Sequence, residues 1–420
     1  MAKKDAIEQI EIEAPYELPE GWKWCRLGEV ADWGSGGTPS RKNPEYYNGS
    51  IPWIKTGELN ESYIFDSEEK ISEEAINHSS AKLFPKETVV LAMYGATIGK
   101  TAIFGIDAST NQACACAICH KDLDNHYLFN FLKSKKDYFI YNAKGGAQPN
   151  ISQEIIKDTI IPLPPTLAEQ QRIVNRIETM FAKLDQAQEK DQTVLDTFET
   201  RKAAILHKAF TGQLKIDNEE LTIENWEDTT IGECCRLGSG GTPSKSHPEY
   251  YENGDIPWLK TGEIDWNDIY DVEERITNEG VENSSAKIFP AESVVVAMYG
   301  MGVTRGKAAI LKIPTATNQA VCVLQPNEKL NNRFLFYYFM CNYWQIREQS
   351  VGGNQLNLSG KIIASFPIKL PPLNYQLSIV NFLDTVLEKE SRAKEAAQTV
   401  LDQIALLKKS ILARAFRGEL

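Results

Sequence analysis

The sequence predicts an α+β chain: two similar mixed α/β domains joined by two long helices that form an antiparallel coiled coil, with pseudo-two-fold symmetry. Three observations predict it. Residues 34–58 (GSGGTPSRKNPEYYNGSIPWIKTGE) return as residues 238–263 (GSGGTPSKSHPEYYENGDIPWLKTGE), too far apart for a solenoid unit, so each copy is domain-sized. Residues 168–210 and 375–416 contain no Gly or Pro and carry apolar side chains at steps of three and four, the helical heptad signature. The 420 residues also exceed one domain, at roughly 100–200 residues each.

Taken in order, residues 1–19 are a charged leader ending in Pro19 and read as mobile. The first domain runs over 20–166, the first helix over 167–214, a linker over 215–223, the second domain over 224–372 and the second helix over 373–420. Within the domains, short β-branched runs punctuated by Gly, Pro, Asn and Ser predict strands and turns. Val89–Gly95 (VVLAMYG) answers to Val294–Gly300 (VVVAMYG), after which the copies diverge as ATIGKTAIF and MGVTRGKAAIL. They converge again at Thr110–Ala113 and Thr317–Ala320, then at Gly145–Ser152 and Gly352–Ser359. Tyr127–Tyr141 and Phe334–Arg347 each predict one helix, and IPLPP and IKLPP close the two domains.

The long helices place Ile173, Ile177, Met180 and Leu184, and Ile379, Leu383, Val386 and Ile404, on their apolar stripes. The first stripe continues to Ile205 and the second includes Ala393, Leu407 and Ile411. At 1.5 Å per residue each helix is roughly 60 Å long and needs a partner stripe, most simply the other helix. Asp191 and Glu390 interrupt the stripes, and a polar residue at such a position fixes register. Antiparallel pairing predicts a ruler with two related heads.

Apolar residues make up 42% and charged residues 24%, as in globular proteins, and no apolar run is long enough to span a membrane. The N-terminus lacks an apolar signal core, so the eight cysteines are expected reduced, in a cytoplasmic protein. The net charge of −12 argues against a chain that grips nucleic acid alone.

Several chemistries are excluded by the residues themselves. Gly95–Thr101 (GATIGKT) is one residue short of a phosphate-binding loop, and its second copy has lost the hydroxyl residue. Asn43-Pro44-Glu45-Tyr46 resembles the N-P-P-Y loop of adenine methyltransferases, but its third residue is wrong and His247 replaces Asn43 in the repeat. Cys114, Cys116 and Cys119 align with Val321, Val323 and Pro326, which marks apolar strand positions rather than metal ligands. Neither a metal site nor a catalytic residue is expected.

What remains are polar loop positions suited to double-stranded DNA. In the first domain they are Thr38, Ser40, Arg41, Lys42, Lys55, Tyr94, Lys100, Lys144, Gln148 and Asn150. In the second they are Thr242, Ser244, Lys245, Lys260, Tyr299, Arg305, Lys307, Asn354, Gln355 and Asn357. Asn and Gln pair with adenine edges and Arg or Lys with guanine. Residues shared by the copies suit phosphate or fold, and those that differ suit base reading. A duplicated non-DNA scaffold on a coiled coil is the competing reading.

LPEGW at 18–22, GGTPS, IPWIKTGEL, Tyr-Gly before a variable loop, GGAQPNIS, IPLPP, Glu169-Gln170-Gln171-Arg172-Ile173 and the AFTGQL and AFRGEL helix ends together give the chain its resemblance. It resembles the specificity subunit of type I restriction-modification systems over nearly its whole length. In the second copy PPLNYQ replaces PPTLAEQ. The resemblance implies two target recognition domains, each reading half of a bipartite, asymmetric DNA target, and spacer helices that dock two modification (methyltransferase) subunits. It implies restriction subunits in the full complex. The chain would carry no cofactor: S-adenosylmethionine would belong to the methyltransferase partner, ATP and Mg to the restriction partner.

Overall fold

The computed structural model describes residues 15–146, 149–216, 219–220, 226–300, 302–351 and 357–420. It divides into two units, one of residues 1–192 with 399–420, the other of residues 193–398.

In the first unit the strands are β1 (Lys23–Arg26), β2 (Ala31–Ser35), β3 (Ile51–Ile54), β4 (Tyr63–Ile64), β5 (Lys70–Ile71), β6 (Leu83–Phe84), β7 (Val89–Ala92), β8 (Thr101–Phe104), β9 (Ala108–Thr110), β10 (Cys114–Cys119) and β11 (Ile160–Leu163). A five-stranded sheet has the order β2-β10-β7-β8-β4 and a four-stranded one the order β5-β3-β9-β6. The pairs β4/β8 and β3/β9 are parallel and the others antiparallel; β1 pairs with β11.

The run VVLA is continuously apolar because both faces of its sheet are covered. Val89 and Leu91 join the cluster of Tyr127, Leu128 and Phe131 on the helical side. Val90 and Ala92 join Ile54, Phe84 and Ala108 on the other. Alternate strand residues point to opposite faces, so one run supplies both cores. Cys114 and Cys116 face the second cluster at 0% exposure, and burial pushes the Cys116 thiol up to about 12.

The second unit repeats this arrangement. Cys235–Ser239, Val321–Pro326, Val294–Ala297, Ala308–Leu311 and Asp268–Ile269 form its five-stranded sheet, in that order. Arg275–Ile276, Ile256–Leu259, Thr315–Thr317 and Ile288–Phe289 form the four-stranded one. Lys215–Ile216 pairs antiparallel with Glu219–Glu220, so a short strand pair lies where a linker is expected.

Both predicted domain helices are broken. Asn125–Ser134 and Lys136–Tyr141 meet at Lys135 (φ −95°, ψ 4°), and Asn332–Cys341 and Tyr343–Glu348 meet at Asn342 (φ −98°, ψ 19°). Asp124 and Asn331 cap the first helix of each pair by accepting from Tyr127 N and Phe334 N.

The long helices are Leu167–Phe210 and Leu373–Phe416, 44 residues each. They end at left-handed glycines, Gly212 (φ 67°) and Gly418 (φ 75°). Their starts match despite the PPLNYQ departure. Gln170, fully buried, accepts from Asp124 N at 2.8 Å and donates to Asp122 O at 2.9 Å. Gln376, equally buried, accepts from Asn331 N and donates to Lys329 O and Pro371 O, all at 2.8 Å.

Each unit contains stretches of both long helices, running antiparallel. In the first, Arg172 donates to Leu420 O at 2.9 Å and Lys408 pairs with Asp185 at 2.5 Å. In the second, Arg201 pairs with Glu390 at 2.8 Å, and Lys394 Nζ lies 4.4 Å from the Phe198 ring. The interruption at Glu390 is thus answered by a cation from the facing helix. Ile173, Ile177, Ile379, Leu383 and Ile404 are buried, while Met180, Leu184 and Val386 are half-buried. The stripe departs from the heptad frame elsewhere: Ala393 and Leu407 (50%) are exposed and Ile205 is half-buried, while Leu206, Ala209, Leu412 and Ala415 are buried. A straight helix drifts off a seven-residue repeat, and here the helix ends turn toward their globule.

The segment after Ala14 differs from expectation. Tyr16 OH donates to Phe416 O at 2.9 Å, and its ring meets Trp24 edge-on at 4.9 Å. Residues 1–14 of the expected leader lie outside the described residues.

Candidate nucleic-acid interface

The glycines of GSGGTPS serve a backbone crossing. A Cβ on Gly36 would sit 1.9 Å from Thr110 O, and one on Gly37 would sit 2.2 Å from Ser80 Oγ. Gly240 and Gly241 meet Thr317 O and Ser285 Oγ, each at 1.9 Å. Only a residue without a side chain fits there.

Thr110-Asn111-Gln112-Ala113 is the hub onto which the loops converge. Gln112 Oε1 accepts from Thr38 Oγ1 at 2.5 Å, tying down the loop after the glycines. Asn111 N donates to Ile54 O at 3.2 Å, beside Lys55. Met93 N donates to Ala113 O at 2.9 Å, beside Tyr94, and Ile151 N to Met93 O at 3.0 Å. In the second domain Thr242 donates to Gln319 at 2.5 Å, Asn318 N to Leu259 O at 3.1 Å and Met298 N to Ala320 O at 2.9 Å. Sequence reasoning left these glutamines without a role; their repetition within Thr110–Ala113 and Thr317–Ala320 was the available signal.

The predicted cations fall into two groups. Arg41 pairs with Glu69 at 2.7 Å and lies 4.0 Å over the Tyr47 ring. Lys55 reaches the same Glu69 at 3.0 Å and Glu68 at 3.3 Å. Hydrogen bonds from Arg41 and Lys55 hold the Glu69 carboxyl below the usual carboxylate range. In the second domain Lys260 pairs with Glu274 at 2.6 Å and Lys307 with Asp265. Lys42, Lys100, Lys144 and Lys245 make no ion pair among the described residues.

Ser40 Oγ accepts from Lys42 N at 3.4 Å, and Ser244 and Ser246 share a 2.6 Å hydroxyl bond. Tyr94 (43% exposed) and Lys144 both bridge to Asn150, and Gly95 N donates to Pro149 O at 2.9 Å, so the divergent loop and the 144–150 segment share one edge. Tyr299 is 40% exposed. Asn357 pairs with Val351, and the Arg305 carbonyl accepts from Arg347. Gln148, Asn354 and Gln355 lie outside the described residues.

Two loop systems in each domain thus carry exposed polar groups on a frame fixed by hydrogen bonds to the hub. Such a surface can grip phosphates and present donors and acceptors to base edges. Among the described residues no cluster of three or more His, Cys, Asp or Glu could hold a metal, and no described helix is long and apolar enough to cross a membrane.

The type I restriction modification DNA specificity domain matches this chain twice, over residues 19–196 and 223–400. The MjaIX type I restriction enzyme specificity subunit of Methanocaldococcus jannaschii is 24% identical over 339 residues, covering 78% of this chain and 77% of that one. A chain solved in work on complex assembly and conformational transition of the type I R-M system shares the fold, with a TM-score of 0.76 and 21% identity over 97% of this chain and all of that one. The HsdS subunit from Thermoanaerobacter tengcongensis superposes at a TM-score of 0.63 with 22% identity, over 97% of this chain and all of that one.

Proposed function

Because this chain belongs to the family of type I restriction modification DNA specificity domains and carries two of them, we propose that each domain reads one half of a bipartite DNA target. The chain is a non-catalytic specificity subunit of a type I restriction-modification system. The observation that carries the bipartite reading is the duplicated hub: two domains present equivalent loops on equivalent frames, with different residues at the tips. Two-fold related domains would read half-sites in opposite orientation, and their differing loops would read different sequences.

The paired helices would set the unread gap and dock two modification subunits, which supply S-adenosylmethionine and adenine methylation. Restriction subunits would add ATP- and Mg-dependent translocation and cleavage. The assembly would act in the cytoplasm. Partner subunits would share the grip on DNA, which accommodates a net charge of −12.

Methylome sequencing of cells expressing the modification subunit, with and without this chain, tests the proposal. N6-methyladenine at one bipartite motif, present only with the chain, is expected. An active modification subunit that gains no motif would reject it in favour of a scaffold that binds no DNA.

A further inference from the structure

The two domains hold their divergent loop by different means. In the first, Ile98 is 3% exposed in the domain core, Thr97 Oγ1 donates to Tyr94 O at 2.8 Å, and Gly95 (φ 63°) and Gly99 (φ 81°) shape the turn. The second loop is two residues longer. Counted back from the shared Gly-Lys ends (Gly99-Lys100 and Gly306-Lys307), Arg305 stands where Ile98 would. Among the described residues of this loop the apolar Val303 is 58% exposed and does not take that buried place.

A polar clamp takes its place, from the helix Tyr343–Glu348. Arg347 donates through Nη1 to Arg305 O at 2.5 Å and through Nη2 to Gly302 O at 2.7 Å. Tyr343 OH donates to Val303 O and accepts from Arg347 Nη1 at 3.0 Å. The guanidinium lies 5.1 Å from the Tyr343 ring and 5.6 Å from the Trp344 ring. Three loop carbonyls are thereby held by two side chains of one helix. At the equivalent positions in the first domain stand Lys136, which pairs with Glu61 at 3.2 Å, and Ile140, 51% exposed. The clamp belongs to the second domain.

We propose that Arg347, with Tyr343, is the positioning residue that fixes the Gly302–Lys307 loop in the shape that reads the second domain's half-site, and so sets the selectivity of that half-site alone. The proposal rests on the DNA-reading role above. Gly300, Gly302 and Gly306 all have positive φ, and such a loop has much conformational freedom to lose unless something holds it. Base-edge hydrogen bonds need their donors placed to a few tenths of an ångström, whereas phosphate contacts tolerate displacement. Releasing the clamp therefore costs discrimination before it costs affinity. The planar five-donor fork of arginine spans two carbonyls, and a lysine ammonium cannot reproduce it.

The test uses the complex of this chain with its modification subunit. Methylation is measured on duplexes carrying single-base changes in either half-site, for wild type, R347A, R347K, Y343F and the first-domain variant I98A, with melting temperatures alongside. R347A and R347K should each lose about tenfold of the discrimination at one half-site, the order of a single base readout. The other half-site and the melting temperature should hold. Y343F should lose less, and I98A should act on the opposite half-site. If both arginine variants keep full discrimination, or lose it equally at both half-sites, the positioning role is overturned. A wild-type complex indifferent to sequence would instead reject the DNA-reading role itself.

Discussion

Replacing Gln170 should detach the first long helix from its domain. The side chain is fully buried and joins the backbone on either side of Leu123, accepting from Asp124 N and donating to Asp122 O. Asp124 also caps the helix Asn125–Ser134, so the same contact aligns a second helix. Gln170→Met keeps the volume and removes both hydrogen bonds. Two part-buried backbone groups then lose their partner, at up to about 1–3 kcal/mol each, with about 6 kcal/mol together as the ceiling. Gln170→Ala adds a cavity and should cost more. The neighbouring exposed Gln171→Met should stay within about 0.5 kcal/mol. A chain of two units need not unfold in one step, so the measurement is native-state hydrogen exchange of the Asn125–Ser134 amides, which reads local opening. Q170M exchanging as slowly as wild type would refute the reasoning, and the same comparison at Gln376, with three bonds, should show a larger effect.

Four further outcomes are expected. G36A and G240A place a Cβ 1.9 Å from a carbonyl oxygen and should lose at least about 1–3 kcal/mol in denaturant melts, whereas G57A, with nothing within 4 Å, should be near neutral. Replacing Lys42, Lys100, Lys144 and Lys245 together should lower the slope of log affinity against log salt by about 0.9 for each phosphate no longer neutralised; an unchanged slope would remove them from the interface. Burial alone would raise the Glu61 carboxyl, but Lys133 and Lys136 outweigh it and hold it below the usual range. Its contribution is therefore complete above the unfolded value of about 4.3 and fades as pH falls through the lower folded value, so E61Q should cost stability at pH 7 and progressively less in acid melts. Shortening either long helix by one heptad, about 10 Å of rise, should change the unread gap of the methylated motif and keep both half-sites; an unchanged gap would reject the ruler.

The duplicated text, the heptad steps and the turn residues made the two domains and the two long helices legible from the sequence, because these features depend on local periodicity and on repetition. The glycines of GSGGTPS were visible as a motif, but their reason was not: the carbonyl each must approach lies far along the chain, at Thr110 and Thr317. The same distance hid the role of Gln112 and Gln319. Composition marked Arg41 and Lys55 as cations free to meet DNA; the turn between β4 and β5 brings Glu68 and Glu69 against them. Helix breaks at Lys135 and Asn342 escaped notice because neither residue is a breaker by propensity. The sequence by itself determined that there are two related α+β domains and two helices with apolar stripes, since patterning is written residue by residue. Only the tertiary structure decided which polar groups are spent inside the molecule and which remain for a ligand, because that depends on partners brought together from distant parts of the chain.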